Sequence, residues 1–185
     1  MMARGGFPKR HTDTSGLGGK EWQIAWSLVT EAIHIENNQG SLSAIIGGRG
    51  VGKTQMATAI ARSVCVQESC KRPMKDTPAV YDKAMGIFIA IRQAMKTDEG
   101  ELTAIRKYVT PRLLVIDEIQ ERGETEWEDR VLTHIIDKRY DDPSKHTIIV
   151  GNCTPESAAK ALGSSVVSRI KERGQFIVCD WASFR

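Results

Sequence analysis

The sequence predicts an α/β protein with a central parallel sheet and helices packed on both faces. Three observations carry that expectation. The runs SLSAII (41–46), RLLVID (112–117) and HTIIV (146–150) are nearly continuous in apolar residues, as strands buried on both faces require. Segments of helical periodicity separate them, and such alternation sets strands parallel. A glycine-rich stretch, GGRGVGKT, joins the first of these runs to the helical segment that follows it.

The 185 residues suffice for one domain with a real core. Hydrophobic residues make up 41% and charged residues 26%, an ordinary composition for a soluble chain. No run approaches the roughly eighteen apolar residues of a membrane-spanning helix. The N-terminus MMARGGFPKRHTDTSGLGGK is basic but has no apolar centre, so it does not read as a secretory leader, and a cytoplasmic location is expected. Cys65, Cys70, Cys153 and Cys179 lack paired C-x-x-C spacing and read as reduced thiols. Asn152-Cys153-Thr154 matches a glycosylation acceptor only formally, since nothing points to secretion. The net charge of +3 permits contact with nucleic acid without demanding it.

Two units are expected, a flexible arm over residues 1–19 and a single domain over 20–185. The arm is rich in Gly, Thr and basic residues, and either lies over the domain or is partly disordered. From Lys20 to about Glu36, Trp22, Ala25, Trp26, Val29 and Ile33 recur at helical spacing, with both tryptophans directed at the core. Asn37-Asn38-Gln39-Gly40 ends that helix. After the glycine loop a helix runs from Lys53 to about Gln67, followed by a polar loop over 70–78 and a short strand at 79–81. The segment 84–96 reads as a helix with Met85, Phe88, Ile89 and Met95 facing the core, and Arg106 and Lys107 lie on a further helical piece. A helix over 126–140, two more over 155–162 and 165–173, and a last strand in QFIVCD complete the pattern.

GGRGVGKT fits the phosphate-loop pattern G-x-x-x-x-G-K-[ST] across Gly47, Gly48, Arg49, Gly50, Val51, Gly52, Lys53 and Thr54. Glycine permits the backbone turns that aim successive N–H groups at phosphate oxygens, and the next helix presents its positive end to the same anion. Lys53 is expected to reach the β/γ-phosphates of ATP, and Thr54 to take a place on Mg²⁺. Asp117, ending the run LLVID, supplies a second anchor for the metal, and Glu118 can polarise an attacking water. The alternative is that the acid pair only starts a solvated loop. Asn152 ends the third buried run, where strand ends converge on a ligand crevice, and either holds water or γ-phosphate there or is a turn residue.

GGRGVGKT, LLVIDEIQERGETEWEDRVLTHIIDKRY, TIIVGN and LGSSVVSRIKERGQFIVCDWASFR together resemble the AAA+ ATPases of the DnaC/IstB group. The ending is similar to the DnaC side of that group. The resemblance covers about residues 7–185 and implies a three-layer P-loop NTPase core without a C-terminal helical lid. It implies Walker A at 47–54, Walker B at Asp117 and Glu118, sensor I at Asn152, and an arginine finger at Arg169 that completes a neighbour's site. Arg139 matches a position near the subunit interface. A homo-oligomeric ring or spiral follows, gripping single-stranded DNA, with Lys71, Arg72, Lys75, Arg106 and Lys107 as candidate contacts or as ordinary surface charge. The implied activity is ATP-driven loading of a replicative helicase, with activation of a transposase as the alternative. A nucleotide-gated adaptor that barely hydrolyses is a third reading. Loaders of this group usually carry an extra N-terminal docking unit, whereas about nineteen residues precede the first expected helix here; the arm does the docking, a face of the ATPase domain does, or the partner is not a helicase.

Overall fold

A computed structural model describes residues 2–11, 20–33, 40–71, 77–98 and 100–183. In chain order the elements are α1 (Lys20–Ile33), β1 (Leu42–Gly47), α2 (Lys53–Lys71), β2 (Ala79–Lys83), α3 (Ala84–Ala94), α4 (Glu101–Val109), β3 (Leu113–Asp117), α5 (Glu126–Tyr140), β4 (His146–Gly151), α6 (Pro155–Arg173) and β5 (Phe176–Cys179). The five strands form one sheet in the order β2-β3-β4-β1-β5, every neighbouring pair parallel. Among the described residues no helix follows β5, and none is long and apolar enough to cross a membrane.

Successive side chains of a strand point to opposite faces, so each buried strand feeds two cores. Ala44 and Ile46 of β1, with Leu114 and Ile116 of β3, join Phe88, Ile91, Tyr108, Ile135 and Val166 beneath α3 to α6. Ile45, Leu113, Val115, Ile148 and Ile177 meet Met56, Ile60 and Val64 of α2 on the other face, together with Val29 of α1 and Phe7 of the arm. Both layers bury apolar area at about 25 cal/mol per Å², the main driving force of the fold.

The structure departs from the expected pattern at particular residues. In α3 the core face is Ala84, Ile87, Phe88, Ile91 and Ala94, whereas Met85 (38% exposed), Ile89 (48%) and Met95 (52%) point outward. The helix ends two residues earlier than expected, and the phase follows its small residues against the sheet. Trp22 and Trp26 stack on each other with centroids 5.3 Å apart and are only half-buried, leaning on the edge of the second core. The two expected C-terminal helices are, by contrast, both present: α6 joins them across a kink at Gly163, whose φ of 77° and ψ of 159° lie outside helical space. α2 extends to Lys71. The expected turn at 37–39 lies outside the described residues, as do Arg72, Lys75 and the Lys71 side chain. Residues 2–11 lie over the sheet, while 12–19 are outside the described set.

Arg139 is 2% exposed, and its position is a correction. Its Nη1 donates to the carbonyls of Tyr108, Val109 and Pro111, Nη2 to those of Arg112 and His146, and Nε to Thr147 Oγ1 at 2.8 Å. A planar fork of five N–H donors suits such a cage of carbonyls. Burial pulls the guanidinium pKa down to about 9, so it stays charged at neutral pH. Arg139 ties the end of α4 to the start of β4 and is a core residue with no surface to offer a neighbour.

Candidate functional site

The phosphate loop leaves β1 between two strands, β4 and β5, that hold it on either side. Gly47 lies at a φ of 142°, and a Cβ there would sit 2.1 Å from the Cys179 carbonyl oxygen, so the loop begins where a side chain has neither space nor conformation. Trp181 Nε1 donates to the Val51 carbonyl at 3.1 Å and braces the loop's outer turn. Lys53 is 5% exposed, with Nζ donating to the Gly47 carbonyl at 3.0 Å and to that of Gly48. Burial lowers its pKa. A lysine held this way, at the start of α2, forms a compact cationic pole beside the helix N-terminus.

The carboxylate of Asp117, at the end of β3, is the hub of the opposite wall. Its Oδ2 accepts from Thr54 Oγ1 at 2.8 Å and from the Tyr81 hydroxyl at 2.7 Å, and its Oδ1 accepts the Glu118 N–H at 2.7 Å. Burial and the Asp117 carboxylate raise the Tyr81 pKa, so the phenol keeps its proton and acts as a donor. Glu118 follows with a left-handed backbone, φ 54° and ψ 46°, an uncommon conformation for a side chain of its size. That turn carries Glu118 away from Asp117 and toward Lys83 at the end of β2, 2.6 Å from Nζ to Oε2.

Asn152 lies just beyond β4, its backbone N–H donating to Gln120 Oε1 at 2.9 Å. A cleft of about 440 Å³ opens between these groups, lined by Arg49, Gly50, Gly52, Lys53, Thr54, Asp117, Glu118 and Asn152, and also by Tyr81, Arg10 and His11. The structure thus gathers the loop, both acids and Asn152 around one cavity. Gly47, Gly48 and Val51 frame the loop's backbone. Arg169 is not among the lining residues. It sits on the second half of α6, with Nη2 3.0 Å from Asp137 Oδ1 and its guanidinium 5.5 Å from the Tyr140 ring centroid. Arg106 and Lys107 are exposed on α4.

The site has residues that the motifs did not point to: Tyr81, Lys83, Gln120, Trp181 and the pair Arg10 and His11. For Tyr81 and Lys83 a signal existed, since β2 ends at the same sheet edge as β1, β3 and β4. Thr54 and Asp117 converge as hard oxygen ligands suited to Mg²⁺, which keeps several waters and uses few protein groups. The donor chemistry therefore fits that ion.

A loop of this shape between a central strand and a helix, facing an acid pair on β3 with β4 inserted between the two strands, defines a P-loop NTPase of the AAA+ type. The family model for IstB-like ATP binding proteins matches residues 23–170, and the chain belongs to that family. It is also similar to the replicative helicase loader DnaC of Escherichia coli K12, 24% identical over 158 residues. That match takes in 82% of this chain and 60% of DnaC, so the chain spans less than two thirds of the curated relatives it matches. Among solved structures, a DnaC helicase loader superposes with a TM-score of 0.68 at 20% identity, covering 92% of this chain and 99% of that one. The replication initiator DnaA bound to AMPPCP and single-stranded DNA superposes at 0.73 with 21% identity, covering 95% and 51%. At such identities these two matches speak for the fold.

Proposed function

We propose that this chain is an ATP-hydrolysing loader that places a replicative helicase on single-stranded DNA and works as a cytoplasmic homo-oligomer in a ring or spiral. The observation that carries the enzymatic part is the convergence of Thr54, Asp117 and Glu118 on the cleft headed by Lys53. Similarity to DnaC supports the choice of partner.

In this reading the loop N–H groups and Lys53 bind the phosphates of ATP, and Thr54 and Asp117 hold Mg²⁺. When bound there, the ion would neutralise part of the phosphate charge. Glu118 orients and deprotonates the attacking water, and Asn152 positions it. Release of Glu118 from Lys83 is part of activation. Arg169 acts on the neighbouring subunit's ATP, where an arginine finger contributes about 10³ to 10⁵ in rate. Its place away from its own cleft supports a role in trans. Arg106 and Lys107 are DNA-contact candidates, as phosphate grips of the kind that single-strand binders use.

A second reading is a helper ATPase that selects target DNA and activates a transposase, favoured by the IstB-like family match. One experiment separates them. The Glu118→Gln protein with ATP and Mg²⁺ is mixed with its host's purified replicative helicase and circular single-stranded DNA. A stable ternary complex, and helicase deposited on the circle by wild-type protein but not by Glu118→Gln, supports the loader. Failure to bind helicase, with capture of a transposase encoded beside this gene, overturns it in favour of the second reading.

A further inference from the structure

Residues 2–11 run along the groove between β2 and α2 and end at the nucleotide cleft. Met2 Sδ lies 3.8 Å from Cys65 Sγ, well along α2, whereas Arg10 and His11 reach the cleft at the beginning of that helix. Phe7 is 4% exposed, and its ring centroid is 5.5 Å from that of Tyr81. Between these points the backbone lies almost on β2: a Cβ at Gly5 would be 2.3 Å from the Ala79 carbonyl oxygen, and one at Gly6 2.6 Å from that of Tyr81. The segment is therefore seated by a buried aromatic and by side-chain-free contact with the strand that carries Tyr81 and Lys83.

Where the segment meets the cleft decides what it can touch. Tyr81 donates to Asp117 Oδ2, the oxygen that also accepts from Thr54. Phe7 packs beside that Tyr81 ring, and Arg10 and His11, next along the segment, line the same cavity as Tyr81 and Asp117. Arg10 is exposed, and its Nε donates to His11 Nε2 at 3.1 Å, which aligns the guanidinium with the ring. Arg10, with Lys53 and Arg49, makes a cationic lining around two carboxylates, a suitable match for a polyphosphate with its metal, and His11 adds a polar ring beside it. The segment 2–11 precedes residue 23, where the family match begins.

We propose that Arg10 and His11 form a second phosphate contact in cis, through which the N-terminal segment closes over the terminal phosphate and distinguishes a triphosphate from a diphosphate. The inference rests on the reading of the cleft as an ATP site. In the closed state Arg10 donates to terminal phosphate oxygens, and Phe7 transmits the contact to Tyr81 and so to Asp117.

The test measures equilibrium binding of a non-hydrolysable ATP analogue and of ADP, with Mg²⁺, to the full chain and to Arg10→Ala, Arg10→Ala/His11→Ala, Phe7→Ala and Lys53→Ala. Amide exchange over residues 2–11 is followed alongside. Loss of a charge-assisted contact predicts about tenfold weaker analogue binding by Arg10→Ala, with ADP affinity changed less than about threefold. The analogue, and not ADP, should slow exchange over 2–11. Because Arg10 is exposed, its replacement leaves folding intact even if Phe7→Ala unfolds. Wild-type affinities in both arginine variants, with binding abolished in Lys53→Ala, would overturn this inference and leave the ATP site standing. Undiminished binding by Lys53→Ala would overturn the ATP site itself.

Discussion

Lys83 Nζ stands 2.6 Å from Glu118 Oε2, so the carboxylate best placed to activate water is engaged by a cation of the adjoining strand. The Glu118 hydrogen bond raises the Lys83 pKa, which keeps the amine charged. Lys83→Ala frees the carboxylate, and basal ATP turnover should rise about twofold to tenfold, because an ion pair at a half-exposed site is a weak restraint. Glu118→Gln should lose about 10² to 10⁴ in turnover with nucleotide binding retained. Phosphate-release kinetics and a binding titration on both variants check this. Slower turnover in Lys83→Ala would mean that the lysine assists the chemistry.

Arg169 has its guanidinium beside Asp137 and Tyr140, between α5 and α6. If it serves a neighbour, Arg169→Ala should lower turnover of the assembled protein about 10³-fold while each subunit still binds ATP. Mixing Arg169→Ala with Lys53→Ala should recover part of the activity, since one supplies an intact cleft and the other an intact arginine. No recovery at any ratio argues for action within one subunit or for a purely structural ion pair.

For Arg139 the readout is stability. Truncation to Ala strands buried carbonyls of the α4–β3 connection and of β4, and should cost about 3 kcal/mol, or about 10 °C in Tm. Arg139→Lys should rescue little, because an ammonium has three donors and no planar fork. Thermal denaturation of both variants decides, and a loss below about 1 kcal/mol would contradict the carbonyl cage.

His146 is fully buried, with Nδ1 3.1 Å from Ser41 Oγ. Burial, aided by the Arg112 and Arg139 charges, lowers its pKa to about 4. The folded value lies below that of the unfolded chain, near 6.5, so the unfolded state takes up the proton first as pH falls. Stability from this group is intact above about pH 6.5 and declines toward pH 4, by at most about 3 kcal/mol. Urea denaturation across that range should show the decline, and His146→Gln should flatten it. An equal slope in the variant would assign the effect to other groups.

The strands were legible because burial on both faces leaves an unambiguous apolar run, and β1, β3 and β4 carry such runs. The loop and acid pair were legible because phosphate and metal chemistry admit few residue types at fixed spacing. Met85, Ile89 and Met95 misled because helical periodicity alone does not fix the phase when Ala84 and Ala94 pack closer to the sheet than large side chains can. Arg139 misled for another reason: a sequence shows a charge but not the cage of carbonyls that accepts its hydrogen bonds and lets it be buried. Tyr81 and Lys83 act on Asp117 and Glu118 far along the chain, so only the shared sheet end of β2 and β3 pointed to them, and nothing in the motifs marked Arg10 and His11.

Gly163 has no atom within 4 Å of where a Cβ would stand, so space does not demand glycine there. The backbone does, since φ 77° with ψ 159° is a region closed to L side chains at a cost of about 1–3 kcal/mol. A D-alanine introduced by chemical ligation would sit there without strain, while L-alanine would straighten or break the helix. Asn152 precedes the first half of α6 and Arg169 rides on the second. The angle between the strand end that meets one cleft and the arginine offered to another is thus set by the handedness of a single position.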